Sequence, residues 1–148
     1  VLNNRSHFNW IIEQQRNAMQ QIQGDGTLPL EMDRRSKALH YHVYSTQALV
    51  LIATLAARNG IDLYGDGGEA LHRLVKRTVG GLNDSTFFST KTGVKQTWVG
   101  KLSGGKLAWM EAYYARYPTP EIKYWIDIYR PMKNRRVGGN ATLLYGAR

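Results

Sequence analysis

Residues 34–44 read RRSKALHYHVY and open the longest periodic segment of this sequence, which runs on to Arg58. Apolar side chains recur along the segment at the spacing of an α-helix. Asp33 stands at a suitable position for an N-cap, and Asn59-Gly60 supplies a C-cap. The pattern therefore predicts a helix from Arg34 to Arg58.

Two cations and two phenols share one face at the start of this predicted helix. At about 100° per residue, Arg34, Lys37, Tyr41 and Tyr44 fall within about 80° of one another. One interpretation is a solvated charged turn followed by amphipathic tyrosines. The other is an anionic-substrate site, in which an arginine binds a carboxylate and a phenol lies within reach of a reacting carbon, since arginine is a bidentate carboxylate ligand.

Shorter periodic segments predict further helices, so the fold class is all-α. These helices are expected over residues 4–22, 69–79 and 106–116, and from Pro120 to a point before Pro131. The remainder reads as loop or irregular tail over residues 27–31, 82–105 and 132–148, with short strands conceivable at 87–88 and 97–99. Helices joined by short turns imply stacked αα-hairpins. Their core is thin, which suggests that a partner segment is missing.

The composition narrows the class of partner. The chain has 148 residues, a formal net charge of +9 and no cysteine. That charge favours a polyanion or an acidic surface as partner, and the lack of cysteine excludes a disulfide framework and cysteine-ligated metal sites. The longest apolar stretch, residues 48–57, is too short to cross a bilayer, so no membrane partner is expected. Val1 begins no signal peptide, and we expect the chain to start inside a longer protein.

Two motifs invite a metal or nucleotide interpretation, and neither fits it well. His40 and His42 are two residues apart on a helix and point about 200° from each other, whereas a helical metal pair is spaced by three or four residues. Residues 100–107 read GKLSGGKL, a near match to a phosphate-binding loop. The position that would hold Mg²⁺ through a hydroxyl is Leu107, so no nucleotide or metal is expected there.

Two later segments are open to more than one interpretation. Residues 106–117, KLAWMEAYYARY, suit a core with an amphipathic rim, or aromatic rings stacked on sugars beside cations. Residues 133–139, KNRRVGG, are either a basic tail or a segment that brings an arginine into a cleft, where Gly138-Gly139 permits close backbone approach.

These three segments together resemble the alginate lyases of polysaccharide lyase family 5. Residues 34–44 match the family pattern R-R-x-[RK]-A-L-x-Y-H-x-Y, residues 106–117 are similar to its K-x-x-W-[LM]-E-x-Y segment, and residues 136–139 to its R-[LV]-G-G. Trp10, residues 25–29 and residues 59–63 also look like family positions, in one collinear order over nearly the whole chain. The resemblance implies an incomplete α/α toroid with a long cleft, of which residues 1–148 form the C-terminal part of a single domain.

The resemblance leaves part of the family's active site outside this chain. Family members also use an Asn-Asn-His motif, and Asn3-Asn4-Arg5 has arginine in place of histidine and lies too close to Arg34. We interpret Asn3-Asn4 as an accidental match and expect the asparagine and histidine before Val1. The chain is then expected to pack with the N-terminal portion of the same enzyme, and family members imply a periplasmic location.

The chemistry implied by the resemblance is β-elimination of 1,4-linked polyuronates, with alginate or polymannuronate the first expectation. Arg34, with the absent asparagine and histidine, neutralises the carboxylate beside C5, where charge builds in the transition state. Tyr41 takes the C5 proton and returns it to the leaving oxygen. The substrate contacts implied by this site are His40, Arg35, Lys37, Tyr44 and Arg136. No cofactor or metal is expected, because side-chain cations do that work.

Two other classes of function stay open from the sequence. A non-catalytic basic helical module could bind an acidic glycan or nucleic acid, which the charge alone favours. No nucleic-acid motif is recognisable, and acidic and basic residues are interspersed, so nucleic acid is not expected as partner. An inert fragment of the lyase is the third interpretation, because half of the catalytic set is absent.

Overall fold

A computed structural model describes residues 4–146. Asn3, which belongs to the Asn3-Asn4 pair interpreted above, lies outside the described residues. The chain is helical almost throughout, which confirms the predicted class. The elements are α1 (Arg5–Gln20), α2 (Pro29–Met32), a 3₁₀ turn (Arg35–Lys37), α3 (Ala38–Arg58), α4 (Asp66–Asn83), α5 (Thr86–Thr92), α6 (Gly104–Leu107), α7 (Trp109–Tyr114), α8 (Pro120–Tyr129), β1 (Lys133–Asn134), a second 3₁₀ turn (Arg135–Val137), β2 (Gly139–Asn140) and α9 (Ala141–Tyr145). The strands pair antiparallel, with Lys133 opposite Asn140.

Helix α3 is the centre of the core. It packs against α4 and α7 on two sides and against α1 on a third. Ala38, Val50, Ala53 and Ala56 along it are fully buried, and such small side chains let neighbouring helices approach closely. A helix that is surrounded by other helices needs apolar residues on most of its faces, and the sequence of α3 shows this pattern.

Local capping signals place two helices where the sequence predicts them. The side chain of Asn4 accepts a hydrogen bond from the His7 amide at 3.1 Å at the start of α1. Thr119 does the same for the Ile122 amide at 3.3 Å, with Pro120 at the first position of α8. Both caps satisfy backbone donors that have no partner inside the helix.

The predicted start of the long helix is wrong. Asp33 follows α2 as its C-cap, and α3 begins only at Ala38. Between them the chain turns through Arg35, whose φ of 51° is left-handed, an uncommon conformation for a residue with a Cβ. This turn is bound to a segment some sixty residues later, and those contacts override the helical pattern.

Five other features differ from the sequence prediction. Residues 87–88 lie in helix α5 and not in a strand, and the helix predicted over 106–116 is divided into α6 and α7 at Ala108. A one-turn helix, α2, occupies part of the predicted loop at 27–31, and the tail is ordered by the β1–β2 pair. The third predicted helix, over 69–79, continues to Asn83 in α4, and Gly67, Gly68 and Glu69 at the start of α4 have left-handed φ values of 63°, 60° and 62°.

Several large apolar side chains remain exposed at the periphery. They are Trp10 and Ile11 on α1, Tyr124 and Ile128 on α8, and Leu143 and Leu144 on α9. Within residues 4–146 no helix combines the length and the apolar character that a membrane crossing requires.

Candidate active site

The guanidinium of Arg34 lies over the ring of Tyr41, with its Cζ 4.9 Å from the ring centroid. Arg34 reaches this position from the turn that precedes α3, and not from the helix itself. Its Nε also lies 3.9 Å from the Glu31 carboxylate on α2. The predicted neighbourhood of cation and phenol therefore exists, although the helical-face geometry from which it was predicted is wrong.

A cluster of rings surrounds His40. Its centroid lies 5.4 Å from that of Tyr41, 4.9 Å from that of Tyr44 and 5.4 Å from that of Trp98, and all three pairs are edge-to-face. Edge-to-face contact is a favoured geometry for aromatic rings. Tyr41 and Tyr44 are themselves 6.4 Å apart and half-buried, so both rings border the same open surface.

His40 is only 3% exposed, and its Nδ1 is buried without a hydrogen-bond partner among the described residues. Burial lowers the pKa of His40, and the positive charges of Lys106 and Lys37 lower it further. The imidazole is therefore neutral at neutral pH, and a neutral imidazole can both donate and accept a hydrogen bond.

Lys106 secures the loop that carries Trp98. Its Nζ donates to the carbonyl oxygens of Val99 at 2.6 Å and of Lys101 at 2.7 Å, and lies 6.0 Å from the Trp98 ring centroid. The lysine of the segment that nearly matches a phosphate-binding loop therefore has a structural role. It donates hydrogen bonds to two backbone carbonyl oxygens and so fixes the segment that carries Trp98.

The C-terminal tail brings a third cation to the cluster. The Cζ of Arg136 lies 5.8 Å from the Tyr44 ring centroid. Asn134 fixes this segment, because its amide nitrogen donates to Gly105 O at 2.6 Å and to the Gln47 side chain at 3.2 Å. The Asn134 oxygen accepts from the Arg136 amide at 2.9 Å and so sets the turn. Of the two interpretations of residues 133–139, the structure favours an arginine brought to a site.

His42 has a structural role. It is fully buried, its Nδ1 lies 2.8 Å from the Ala38 carbonyl, and its Nε2 lies 3.0 Å from the Leu28 amide. These partners assign the proton to Nδ1, because the amide needs an acceptor at Nε2. Both ring nitrogens are occupied. Within residues 4–146, no three imidazole or carboxylate groups gather in a way that could hold a metal ion.

The structure thus assembles most of the predicted site residues around one surface: Arg34, Lys37, His40, Tyr41, Tyr44 and Arg136. Arg35 is the exception, since its side chain is exposed and makes no ion pair or hydrogen bond within the described part of the chain. Trp98 and Lys106 also belong to the cluster, although the sequence does not predict either of them as a site residue. The only sequence signal at Trp98 is the possible short strand at 97–99.

A separate cavity of about 840 Å³ lies elsewhere, beside α4. His72, Tyr113 and Ile122 help to line it, and the His72 Nδ1 is 2.6 Å from the Tyr113 hydroxyl. None of the residues around Tyr41 borders it. The Tyr41 cluster is the better candidate site, because its two phenols are half-buried and lie beside Arg34 and Arg136, whereas Tyr113, the phenol that lines the cavity, is buried and hydrogen-bonded to His72.

This arrangement suits an acidic sugar polymer. Arg34, Lys37 and Arg136 present fixed positive charge to a carboxylate, and the rings of Tyr41, Tyr44 and Trp98 offer faces and edges to the apolar sides of a sugar. A carbon atom next to a carboxylate held by Arg34 would lie close to the Tyr41 ring.

Comparison with known proteins identifies the family. A family model described as alginate lyase matches residues 1–88, more than half of the chain, and the chain belongs to this family. The alginate lyase of Pseudomonas syringae pv. syringae (strain B728a) is 35% identical over 144 residues, which are 97% of this chain and 38% of that protein. That of Azotobacter chroococcum mcd 1 is 36% identical over 97% of this chain and 39% of its own length.

Solved structures give the same result. The apo form of a histidine-to-alanine variant of alginate lyase A1-III superposes with a TM-score of 0.86 and 29% identity, covering 97% of this chain and 41% of that one. A tyrosine-to-phenylalanine variant, complexed with a tetrasaccharide, gives 0.85 and 29%, covering 95% and 40%. The likeness confirms the predicted fold, stacked αα-hairpins that form part of an incomplete α/α toroid. The chain spans about two fifths of the length of these relatives.

Proposed function

We propose that residues 1–148 are the C-terminal part of a single-domain polysaccharide lyase that cleaves 1,4-linked polyuronates, alginate or polymannuronate first among them, by β-elimination. The observation that carries the proposal is the Arg34 guanidinium 4.9 Å from the Tyr41 ring, inside a cluster that also holds His40, Tyr44 and Arg136. Arginine is a natural carboxylate ligand and a phenol can carry a proton, so this contact supports the proposal.

The reaction needs one proton to move and two bonds to break. The C5–H bond breaks, its electron pair forms the C4–C5 double bond, and the C4–O bond to the next sugar breaks. Tyr41, acting as the phenolate, accepts the C5 proton and returns it to the leaving oxygen. Arg34 pairs with the C5 carboxylate, and this pairing strengthens as negative charge builds up there in the transition state.

The other members of the cluster bind the polymer. His40, neutral and buried beside both phenols, is placed to hydrogen-bond a sugar hydroxyl or carboxylate, and Lys37, Tyr44 and Arg136 extend the positive, aromatic surface along it. Arg35 is the weakest member of the proposed set, because its exposed side chain stands apart from the rings.

The remainder of the active site belongs, in this proposal, to the N-terminal portion of the same enzyme. That portion would supply the asparagine and histidine that pair with the carboxylate from the other side. Packing against it would bury apolar side chains that are exposed here, Trp10 and Ile11 on α1 in particular. The whole enzyme is proposed to act in the periplasm, where members of this family are expected.

The experiment that tests the proposal is Tyr41→Phe in the whole lyase. Phenylalanine keeps the ring and its contacts but removes the only atom that can carry the proton, so turnover should fall by about 10²–10⁴-fold while binding persists. Release of unsaturated product, followed by its ultraviolet absorbance on polymannuronate, polyguluronate and polyglucuronate in parallel, measures turnover and substrate preference together.

Tyr124→Phe is the matched control, since Tyr124 is 59% exposed on α8 and away from the cluster. It should retain wild-type turnover. Arg34→Ala should weaken both binding and turnover, because it removes a contact present in the ground state and stronger in the transition state. A Tyr41→Phe enzyme with full activity and a lowered melting temperature would show that Tyr41 is only a packing residue. Polymer binding without any unsaturated product, from the intact wild-type protein, would favour the non-catalytic glycan-binding module.

A further inference from the structure

The loop at residues 93–99 crosses the start of α3 and carries Trp98 to His40. Apolar packing alone does not fix this loop, since Lys95, Thr97 and Val99 are exposed. Besides the packing of Trp98 against Ala38 and Leu39, four hydrogen bonds attach the loop to the start of α3 and the turn before it. The side chain of Gln96 makes two of them, and Thr97 makes the other two.

The Gln96 amide bridges both sides of the turn. Its Oε1 accepts from the Leu39 amide at 3.0 Å, and its Nε2 donates to the Arg35 carbonyl at 3.1 Å. The Leu39 amide belongs to the first turn of α3, where no intrahelical acceptor exists, so Gln96 acts as the cap that the helix itself lacks. The same Nε2 lies 3.1 Å from the Thr92 hydroxyl at the end of α5.

Of the two Gln96 bonds, the one to the Arg35 carbonyl has the larger effect on the position of Arg34. Arg35 has a left-handed backbone, which for such a residue is maintained only when its surroundings hold it. Those surroundings include the Gln96 bond to the Arg35 carbonyl, and the bonds that the Thr97 amide at 2.6 Å and the Thr97 hydroxyl at 3.2 Å donate to the Ser36 carbonyl. The Ala38 amide also donates to the Arg35 carbonyl. The reversal of the chain at Arg35 separates Arg34 from the helix, and from there its guanidinium lies over Tyr41.

We propose that Gln96 is a positioning residue of the lyase site: by bridging Leu39 and Arg35, it fixes the turn that aims Arg34 at Tyr41. This inference rests on the proposed function. Gln96 contacts neither the substrate nor the reacting atoms. It acts through Arg34, so its removal should lower activity only while Arg34 is present.

The test uses Gln96→Leu in the whole lyase, which keeps the approximate size of the side chain and removes both hydrogen bonds. Misplacement of a substrate-orienting group by a fraction of an ångström to 1 Å is costly, and we expect kcat/KM to fall about 10-fold or more. In an Arg34→Ala background the same Gln96→Leu change should lower kcat/KM by less than about 3-fold, because residues that act as a unit are not additive.

A second readout does not depend on activity. Hydrogen exchange of the Leu39 amide should accelerate in Gln96→Leu, since its acceptor is gone, and stay slow in Gln96→Glu, which keeps an acceptor oxygen. Gln96→Glu has no N–H for the Arg35 carbonyl, so it should still lose activity. This separates the cap on α3 from the bond that shapes the turn.

Gln15→Leu is the matched control for a lost buried amide. Gln15 donates to the Leu49 carbonyl at 3.0 Å on the α1 side of the core, so its loss lowers stability without touching the turn. Its kcat/KM per folded molecule should equal that of the wild type. The role of Gln96 would be refuted if Gln15→Leu lowered kcat/KM as much as Gln96→Leu does. It would also be refuted if Gln96→Leu lowered kcat/KM by the full 10-fold in the Arg34→Ala background. An inactive wild-type enzyme would instead refute the proposed function itself.

Discussion

His42→Gln should remove a defined part of the acid sensitivity of this fold. Burial lowers the pKa of His42, and protonation would also abolish the acceptor that the Leu28 amide needs at Nε2. The unfolded chain therefore takes up the proton first as pH falls. The stability that depends on neutral His42 is complete above pH 6.5 and is lost below it.

The magnitude follows from the unfolded reference value of 6.5. At pH 5.5 an unfolded imidazole is mostly protonated, whereas burial disfavours protonation of the folded one, so His42 should lower the free energy of unfolding by up to about 1.4 kcal/mol relative to pH 7.5. Glutamine can present an oxygen to the Leu28 amide but does not titrate. The variant should be less stable than the wild type at pH 7.5 and should lose less stability on acidification, by up to about 1.4 kcal/mol.

Urea unfolding at pH 7.5 and pH 5.5 measures this difference. Thr46→Val is the control, because Thr46 lies one turn further along α3, its hydroxyl is 2.9 Å from that of Thr78, and neither group titrates in this range. It should lower stability equally at both pH values. If His42→Gln loses as much stability on acidification as the wild type does, the buried neutral imidazole is not the cause, and His40 and His72, whose pKa values burial also lowers, carry the effect.

Three further predictions concern other parts of the chain. Arg130→Ala should destabilise by about 3 kcal/mol in urea unfolding, because it leaves the fully buried Glu111 carboxylate without its bidentate partner, whereas Lys123→Ala on the exposed face of α8 should have little effect. Gly26→Ala should lower the melting temperature strongly, since Gly26 has a φ of 82° and an added Cβ would collide with the Arg73 carbonyl; Gly24→Ala, where nothing lies within 4 Å, should not. Affinity for a polyuronate, measured by isothermal titration from low to high salt, should fall steadily if the clustered cations bind carboxylates, and constant affinity would place the charge on unrelated surface.

Local signals in the sequence predict much of the fold. Pro120 after Thr119 predicts the start of α8, and the apolar periodicity that ends at Asn59-Gly60 predicts the end of α3. The start of α3 could not be predicted in the same way, because the chain around Arg35 is shaped by Gln96 and Thr97. No pattern within residues 33–38 contains that information.

The residues of the candidate site also divide into those that local sequence predicts and those whose positions depend on distant segments. Arg34 and Tyr41 are close in sequence, so both a helical face and the actual turn bring them together, and the prediction succeeds although its geometry is wrong. Arg136 was predicted by resemblance, and its position depends on the bonds from Asn134 to Gln47 and Gly105. The sequence does not predict Trp98 and Lys106 as members of the cluster, because the contacts of Trp98 with His40 and of Lys106 with Trp98 form only when distant segments meet.

The bond from Asn134 to Gln47 spans 87 residues of sequence, and it has a consequence for how the protein is made. At about 5–20 residues per second, a ribosome needs on the order of ten seconds to travel from Gln47 to Asn134. During that interval Arg34, His40, Tyr41 and Tyr44 have already been synthesised, but the tail that brings Arg136 to them does not yet exist. The cluster around His40 therefore stays incomplete from the synthesis of Tyr44 until the tail that carries Arg136 has been made.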